Sequence, residues 1–252
     1  MRSLKAIARE RLPKTIFNTL QNAYHHITGP NEHQVDEYQD RYEFLRKALT
    51  TLRFNRIAGD YAEFGCCGAV TFNIAYRLMS KYPGVGPFHL WAFDSFEGLP
   101  ETVGEIDAHP IWTKGNFSMS LQAFHRTCKS KGMPRSAYTV VQGFYDQSLA
   151  PTAPGPRPTQ ICLAYIDCDM YSSTSAVFKF LMPRLQHGMI LAFDDYYCYS
   201  SEVPSGERLA LAEAFRDNTE WRLLPYVQFG WAGMSFIVES AKTPTGRQNA
   251  YW

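Results

Sequence analysis

Several features are missing from this sequence, and each absence excludes a class of protein. No apolar run approaches the ~20 residues that a membrane-spanning helix needs. Glu10 and Pro13 interrupt the basic N-terminus, where a signal peptide would be continuously apolar. The net charge is only +1 at pH 7, so we expect no charge-driven binding to nucleic acid. We therefore expect a cytoplasmic protein.

Two ligand-binding signatures are also missing. The six cysteines form no C-x-x-C pair and no Cys/His spacing typical of zinc, so we expect free thiols in a reducing compartment. The pattern G-x-G-x-x-G is absent, which argues against a nicotinamide-dependent oxidoreductase, because that pattern holds a pyrophosphate at a helix N-terminus. Aromatic residues make up 15% of the chain, enough to line a pocket as well as to fill a core.

The length of 252 residues and the apolar content of 45% suit one large α/β domain with additions. We predict three regions: a helical extension at 1–58, the α/β domain at 59–240 and a polar tail at 241–252. In the extension, apolar spacing predicts helices at residues 4–12, 14–27 and 35–51. The basic first helix could pack as a cap, or dock on a membrane surface or a partner subunit. A homodimer through these helices is one arrangement we consider.

Strands and helices alternate from Gly59 onward. Short apolar runs predict parallel strands covered by helices, and turn residues around 228–232 predict a C-terminal hairpin in which Pro225 suits an edge position. The predicted strands are 60–65, 89–93, 137–142, 161–166, 189–193, 221–227 and 233–238. This order predicts a mostly parallel sheet with one reversed edge strand.

Two acidic clusters follow directly on two of these apolar runs. Asp167 and Asp169 come after strand 161–166, and Asp194 and Asp195 come after strand 189–193. Open α/β sheets bind ligands at the carboxyl ends of their strands, so we expect these carboxylates to meet there. Like charges at short range repel, and a divalent cation is their natural counter-charge. The sequence predicts a magnesium-type site with Asp167, Asp194 and Asp195 as ligands.

The role of Asp169 stays open between three alternatives. It could replace Asp167 at the metal, take a proton as the catalytic base, or only cap the helix that starts near Ser172. Asp167 and Asp169 are therefore both candidate catalytic residues. Asp194 and Asp195 have one alternative, a solvated pair of loop residues.

The first strand-to-helix turn predicts a cofactor site. Its G-x-x-G pattern lets the backbone approach a ligand, although alone it is more typical of a tight turn. Asp94 ends the second strand, where a carboxylate can accept hydrogen bonds from ribose hydroxyls, with helix capping as the alternative. A ribose without a pyrophosphate fits S-adenosylmethionine. The candidate cofactor-binding residues are Glu63, Phe64, Gly65, Cys66, Gly68, Asp94, Ser95, Gly143, Phe144 and Asp167.

Aromatic residues near the acidic clusters are candidates for the walls of an acceptor pocket. Flat apolar side chains suit a sugar or another flat ligand, and core packing is the alternative for each of them. The candidates are Tyr171, Tyr196, Tyr197 and Trp231.

Four segments together resemble one known family, the macrocin O-methyltransferases. The resemblance covers roughly residues 59–238, and D-S-F-E-G-L-P and D-x-D-x-Y-x-S-T are its most specific parts. The segments are Tyr61–Gly65, Phe93–Pro100, Ile166–Thr174 and Phe193–Tyr196. The resemblance implies a metal-dependent enzyme that methylates sugar hydroxyls, as this family does on macrolide antibiotics. The chain resembles still more closely the broader relatives found with polysaccharide and lipopolysaccharide biosynthesis genes.

The resemblance implies a Rossmann-like class I methyltransferase fold, with a seven-stranded, mostly parallel sheet and an antiparallel last strand. It implies S-adenosylmethionine as methyl donor and a divalent cation, Mg²⁺ or similar, that stabilises the sugar alkoxide. Two departures matter. The N-terminal portion does not match the antibiotic enzymes, so we expect a different acceptor. In the first turn, Gly68 takes the position where the family usually has a basic residue. Recognition of the methionine carboxylate is therefore expected to differ.

Two rival functions share these features. A metal-dependent methyltransferase for catechol-like phenols would use the same residues on a different acceptor. A non-catalytic subunit could keep the fold as a scaffold, and the missing basic residue favours that alternative slightly.

Overall fold

The structure is a computed structural model that describes residues 32–81 and 89–242, with side chains from residue 35 onward. The chain divides into two compact units, residues 1–40 and 41–252. The first unit is described only where it contributes the start of one helix. The helices predicted at 4–12 and 14–27 and most of the polar tail lie outside the described residues. Within those residues, no helix is both long and apolar enough to cross a membrane.

The described elements follow the predicted alternation closely. Most predicted boundaries agree with the structure within three residues, and helix 35–51 is extended at both ends. The helices are α1 (Glu32–Phe54), α2 (Val70–Lys81), α3 (Leu121–Ser130), α4 (Tyr145–Ser148), α5 (Tyr171–Leu181) and α6 (Gly206–Phe215). The strands are β1 (Asp60–Phe64), β2 (Leu90–Asp94), β3 (Tyr138–Gln142), β4 (Ile161–Ile166), β5 (Ile190–Phe193), β6 (Trp221–Phe229) and β7 (Gly233–Ser240).

The seven strands form one sheet in the order β3-β2-β1-β4-β5-β7-β6. Strands β1 to β5 pair in parallel, whereas β7 is antiparallel to both β5 and β6. The predicted fold class is confirmed. One detail was wrong: the reversed strand lies inside the sheet, and β6 is the edge strand. Pro225 lies in β6, where its missing N–H costs no hydrogen bond on the open side, and the pairing is irregular just after it.

Helices cover both faces of the sheet because successive strand residues point to opposite sides. In β1, Tyr61 joins the core cluster that also contains residues of α1, α2 and α3. Ala62 and Phe64 join the other cluster, which contains residues of α5 and α6. Both clusters are fully buried, so the carboxyl edge of the sheet is held as a rigid platform.

Candidate active site

Backbone hydrogen bonds place the ends of three neighbouring strands at one level. The N–H of Gly65 donates to Phe93 O at 2.9 Å. The N–H of Asp167 donates to Phe64 O at 2.8 Å, and that of Asp194 donates to Ile166 O at 2.9 Å. Each bond extends the ladder of the sheet one step past the strand, so the turns after β1, β4 and β5 lie side by side.

A cavity of about 890 Å³ lies over this edge. Its volume is at the upper end for ligand sites, which is enough for a nucleoside-sized cofactor and an acceptor together. Nine of the residues predicted for the site line it: Gly65, Asp94, Ser95, Gly143, Phe144, Asp167, Asp169, Asp194 and Asp195.

Three carboxylates converge in this cavity. Asp167, Asp194 and Asp195 each offer one oxygen, and these oxygens all lie within 4.8 Å of one another. Loss of hydration raises the pKa of Asp167 well above its usual range, and the negative charges of Asp194 and Asp195 raise it further. Loss of hydration and the charge of Asp169 do the same to the pKa of Asp195. The cluster therefore favours any cation that can enter it.

The protein itself supplies one cation. Arg41 donates to both oxygens of Asp194, from Nε at 2.9 Å and from Nη2 at 2.7 Å, and the Tyr165 hydroxyl donates to the same carboxylate. Sequence reasoning missed Arg41, although a signal existed. Arg41 lies on the same face of α1 as Leu45 and Ala48, which are both fully buried. An arginine on a buried helix face needs an acidic partner to neutralise its charge.

Asp169 stands beside the trio in a strained conformation. Its φ is +58°, which is uncommon for a residue with a side chain. Loss of hydration, together with the charge of Asp194, raises its pKa to about 7, and a hydrogen bond from Trp112 partly offsets this. The helix-capping alternative finds no support, because α5 has no side-chain hydrogen bond at its N-cap, which is Met170.

At the cofactor end, Gly65 is required by packing. Its φ is +90°, and a Cβ at this position would lie 1.8 Å from the carbonyl oxygen of Asp167. No side chain larger than hydrogen fits between the turns after β1 and β4. The glycine brings the first turn directly against the residue that carries the central carboxylate.

The Asp94 carboxylate holds two neighbouring turns by hydrogen bonds, and Asp94 still lines the cavity. Its carboxylate accepts from the N–H of Cys66 at 2.7 Å and from the N–H of Phe96 at 2.6 Å. A carboxylate has about four acceptor positions, so two remain for ribose hydroxyls. Ser95 donates to Gly98 O at 3.0 Å and thereby shapes the next turn of the cavity wall.

Four of the predicted cofactor residues, Glu63, Phe64, Cys66 and Gly68, do not line the cavity. The carboxylate of Glu63 is buried beneath the turn, where it accepts from the Tyr61 hydroxyl and, at 2.8 Å, from Thr71 Oγ1. Phe64 is fully buried and stacks on Phe93. The backbone N–H of Cys66 donates to Asp94, and the Cys66 side chain is buried. Its neighbour Cys67 is exposed and lines the cavity instead.

The predicted aromatic walls divide into two pairs. Tyr197 and Trp231 line the cavity and are exposed. Tyr171 instead donates a hydrogen bond to Glu213, and Tyr196 packs against Phe193 and Phe236, so neither reaches the cavity. Residues of the connection between β2 and α3 complete the cavity wall. Leu99 belongs to the D-S-F-E-G-L-P segment, whereas the others lie in no motif: Val103, His109, Ile111 and Trp112.

Fold and site together define a class of protein, a Rossmann-like α/β protein with a carboxylate cluster at the carboxyl edge of its sheet. The family model for macrocin O-methyltransferase (TylF) matches residues 37–219, well over half of the chain. The chain therefore belongs to the macrocin O-methyltransferase family, and the predicted membership is confirmed. The family that this model describes is one of O-methyltransferases.

The individual relatives share little sequence identity with this chain. A curated tetracenomycin methyltransferase of Streptomyces olivaceus, 8-demethyl-8-(2,3-dimethoxy-alpha-L-rhamnosyl)-tetracenomycin-C 4'-O-methyltransferase, is 26% identical over 163 residues, which cover 62% of this chain and 60% of the relative. The solved O-methyltransferase NovP is similar with a TM-score of 0.61 at 21% identity, covering 79% of each chain. The calicheamicin methyltransferase CalS11 has a TM-score of 0.61 at 20% identity, covering 92% of this chain and 89% of its own. These two likenesses support the fold.

Proposed function

We propose that this chain transfers a methyl group from S-adenosylmethionine to a sugar hydroxyl, with the help of a divalent cation held by Asp167, Asp194 and Asp195. One observation carries the proposal: the three carboxylates predicted as ligands meet within 4.8 Å in a cavity that the cofactor residues also line. The family supplies the reaction class. The cation and the acceptor are the parts that we propose.

The donor set fits a hard divalent cation. All three ligands are carboxylate oxygens, the type that Mg²⁺ prefers, and two ligands of one Mg²⁺ lie at most ~4.2 Å apart, twice the ligand distance of about 2.1 Å. Oxygens within 4.8 Å of one another need only small side-chain movements to reach that separation. Arg41 Nε and the Tyr165 hydroxyl both donate to Oδ1 of Asp194, whereas Oδ2 accepts from Arg41 Nη2 and has a second acceptor position for a cation.

The chain's own residues then have separate tasks. When bound, S-adenosylmethionine supplies the activated methyl group, and the cation supplies positive charge that favours an alkoxide. Gly65 allows the backbone to approach the cofactor, and Asp94 accepts from its ribose hydroxyls. Asp169 lies in the same cavity but outside the trio. We therefore assign it the role of the base that accepts the proton of the acceptor hydroxyl, with Asp167 as the alternative base.

A sugar acceptor is supported by the relatives and by the cavity rim. The name of the Streptomyces relative describes methylation of a rhamnosyl group, and CalS11 is named as a calicheamicin methyltransferase. Tyr197 and Trp231 present exposed aromatic faces at the rim, and such faces suit the apolar side of a sugar ring. A glycan or a glycosylated natural product is the substrate class that we propose.

The test is a methyl-transfer assay with isotopically labelled S-adenosylmethionine on panels of glycosides and catechols. We expect transfer to a glycoside with MgCl₂ and at least a hundredfold less in EDTA. Asp195→Asn should lose activity in MgCl₂ while it still binds S-adenosylhomocysteine in calorimetry, because Asp195 belongs to the trio and not to the cofactor end. Asp217→Asn, an exposed acid beyond α6, is the matched control and should behave as wild type.

Three results would contradict the proposal in different ways. Equal activity in EDTA and MgCl₂ would show that the reaction needs no divalent cation. Methylation of catechols without any glycoside would favour the phenol methyltransferase. Failure to bind S-adenosylmethionine at all would favour the non-catalytic scaffold. The cytoplasmic location and the homodimer stay predictions, which fractionation and light scattering can check.

A further inference from the structure

We infer that Glu207, which no motif identified, is a positioning residue for the carboxylate trio. It ties together the two turns that carry Asp167 and Asp194–Asp195. The inference rests on the proposed function, because the geometry that Glu207 maintains is that of the proposed cation site. It adds a residue from α6, an element that contributes no ligand of its own.

The contacts of Glu207 are specific. Its side chain is fully buried at the start of α6. Oε1 accepts from the N–H of Cys168 at 3.0 Å, and Oε2 accepts from the N–H of Asp195 at 3.0 Å. Cys168 directly follows Asp167, and Asp195 directly follows Asp194. One carboxylate therefore joins the main chains of both ligand-bearing turns.

Only a carboxylate provides this link in full. It has two equivalent acceptor oxygens, whereas a glutamine of the same shape has one oxygen and one amide nitrogen that can only donate. Glutamine at position 207 would point its NH₂ group at one of the two backbone N–H donors. The chain segment with that donor would lose its hydrogen bond to residue 207, while the other segment would keep its own.

The backbone before Glu207 is fixed as well. Gly206 has a φ of +64°, and a Cβ there would lie 2.7 Å from the carbonyl oxygen of Cys198 and 3.4 Å from that of Asp169. The start of α6 therefore packs directly against the turns of the site. Because the helix start is fixed, the carboxylate that extends from it holds the two turns at a set distance.

Glu207 acts through other residues. It does not line the cavity, so it touches neither cofactor nor acceptor. Its effect must appear in how well Asp167, Asp194 and Asp195 bind a cation together. Hydrogen-bonded residues that orient metal ligands in this way typically change metal affinity by about 10–100-fold when they are replaced.

The chain offers a matched control in Asp107. This residue is also fully buried, and its carboxylate accepts from two backbone N–H groups, those of Val103 and Ser172, both at 3.0 Å. Asp107→Asn removes the same type of link from a place that does not join the ligand-bearing turns. A purely structural effect should therefore be similar in Asp107→Asn and Glu207→Gln.

The experiment measures Mn²⁺ binding to the full-length protein by calorimetry, with S-adenosylhomocysteine binding measured in parallel. We expect Glu207→Gln to weaken Mn²⁺ binding at least tenfold, with cofactor affinity changed less than twofold. Asp107→Asn should keep wild-type Mn²⁺ affinity. Kinetics should show a lower kcat and an unchanged KM for S-adenosylmethionine.

A second measurement uses the wild-type protein, in case Glu207→Gln does not fold. The amide protons of Cys168 and Asp195 should both be protected from hydrogen exchange in NMR spectra, and where the variant folds, one of them should lose protection. Unprotected amides in the wild type would overturn the inference. Equal Mn²⁺ affinity in Glu207→Gln and wild type would also overturn it, without harm to the proposed function. If the wild type binds no Mn²⁺, the cation site and this inference fail together.

Discussion

Removing the charge of Arg41 is the most informative test of how this acidic site is held together. Arg41→Met keeps an unbranched side chain of good helix propensity in α1, so the helix itself is little affected. The change removes the bidentate bond to Asp194, whose two distances are 2.9 and 2.7 Å. Among the described residues, Asp194 then keeps only the Tyr165 hydroxyl as a side-chain donor, and it remains beside two other carboxylates.

The expected loss follows from the burial of the pair. Breaking a buried ion pair by removing one partner costs roughly 3–5 kcal/mol of unfolding free energy. The Asp194 side chain is 9% exposed but that of Arg41 is 25% exposed, so water screens part of the interaction. With the Tyr165 bond retained, we expect a loss of about 2–3 kcal/mol. At about 2–4 °C per kcal/mol for a chain of this size, Tm should fall by roughly 4–12 °C.

The assay is thermal unfolding followed by circular dichroism in EDTA at neutral pH. The matched control is Arg46→Met on the same helix. Arg46 also makes two bonds to a carboxylate, that of Glu43, at 3.0 and 2.8 Å, but this pair lies at the surface. Surface pairs contribute little, so Arg46→Met should leave Tm unchanged within error. The double variant Arg41→Met/Asp194→Asn also removes the carboxylate charge that Arg41 neutralised, so part of the lost stability should return.

The same proteins also test whether Arg41 and a cation share the site. A cation that binds the folded state raises Tm. Because Arg41→Met removes a competing positive charge, MgCl₂ should raise Tm more in this variant than in the wild type. If Arg41→Met is as stable as Arg46→Met in EDTA, the ion pair does not stabilise the fold. If MgCl₂ has the same effect on Arg41→Met and wild type, Arg41 does not share a site with the cation.

Two further predictions concern residues beneath the cavity. Gly65→Ala should lower the unfolding free energy by several kcal/mol more than Gly132→Ala, because both residues have positive φ but only Gly65 has no room for a Cβ. Equal losses in urea unfolding would show that backbone strain alone is responsible. Burial raises the pKa of Glu63 from 4.5 to about 8, so the proton held by the folded state stabilises it most below about pH 4.5, and this stability is lost as the pH rises to about 8. Glu63→Gln should therefore depend less steeply on pH than wild type in urea unfolding between pH 5.5 and 8.5, and parallel profiles would contradict the raised pKa.

The sequence predicted the central strands β1, β2, β4 and β5 well because they are almost entirely buried. In β4 and β5 every residue is buried, and such short, continuous apolar runs have few other interpretations in a chain with alternating helices. The place of β7 was harder to predict. The hairpin signal locates a turn near Gly230, but it does not say which of the two strands pairs with β5. That choice depends on tertiary packing, which has no local signature.

The acidic half of the site was predicted on the same basis. Asp167 and Asp194 each follow a buried parallel strand directly, so the topology alone brings them together at one edge. Residues that reach the site from other elements were missed. Arg41 comes from α1 and Glu207 from α6, and their distance along the chain from the carboxylates hides the relationship. Glu63 shows the opposite error: it belongs to the right segment, but alternation along β1 turns its side chain into the core.

These contacts divide the cavity into two parts with different origins. The cofactor and carboxylate parts are held by the sheet, through backbone bonds at strand ends and through links such as Asp94 and Glu207, so their geometry exists before any ligand binds. The part that we propose for the acceptor is built from the connection between β2 and α3 and from exposed side chains such as Tyr197 and Trp231. Substitutions there can change the acceptor without disturbing the sheet. Under the proposed function, we therefore expect these loops to determine the acceptor and the strand ends to carry the chemistry.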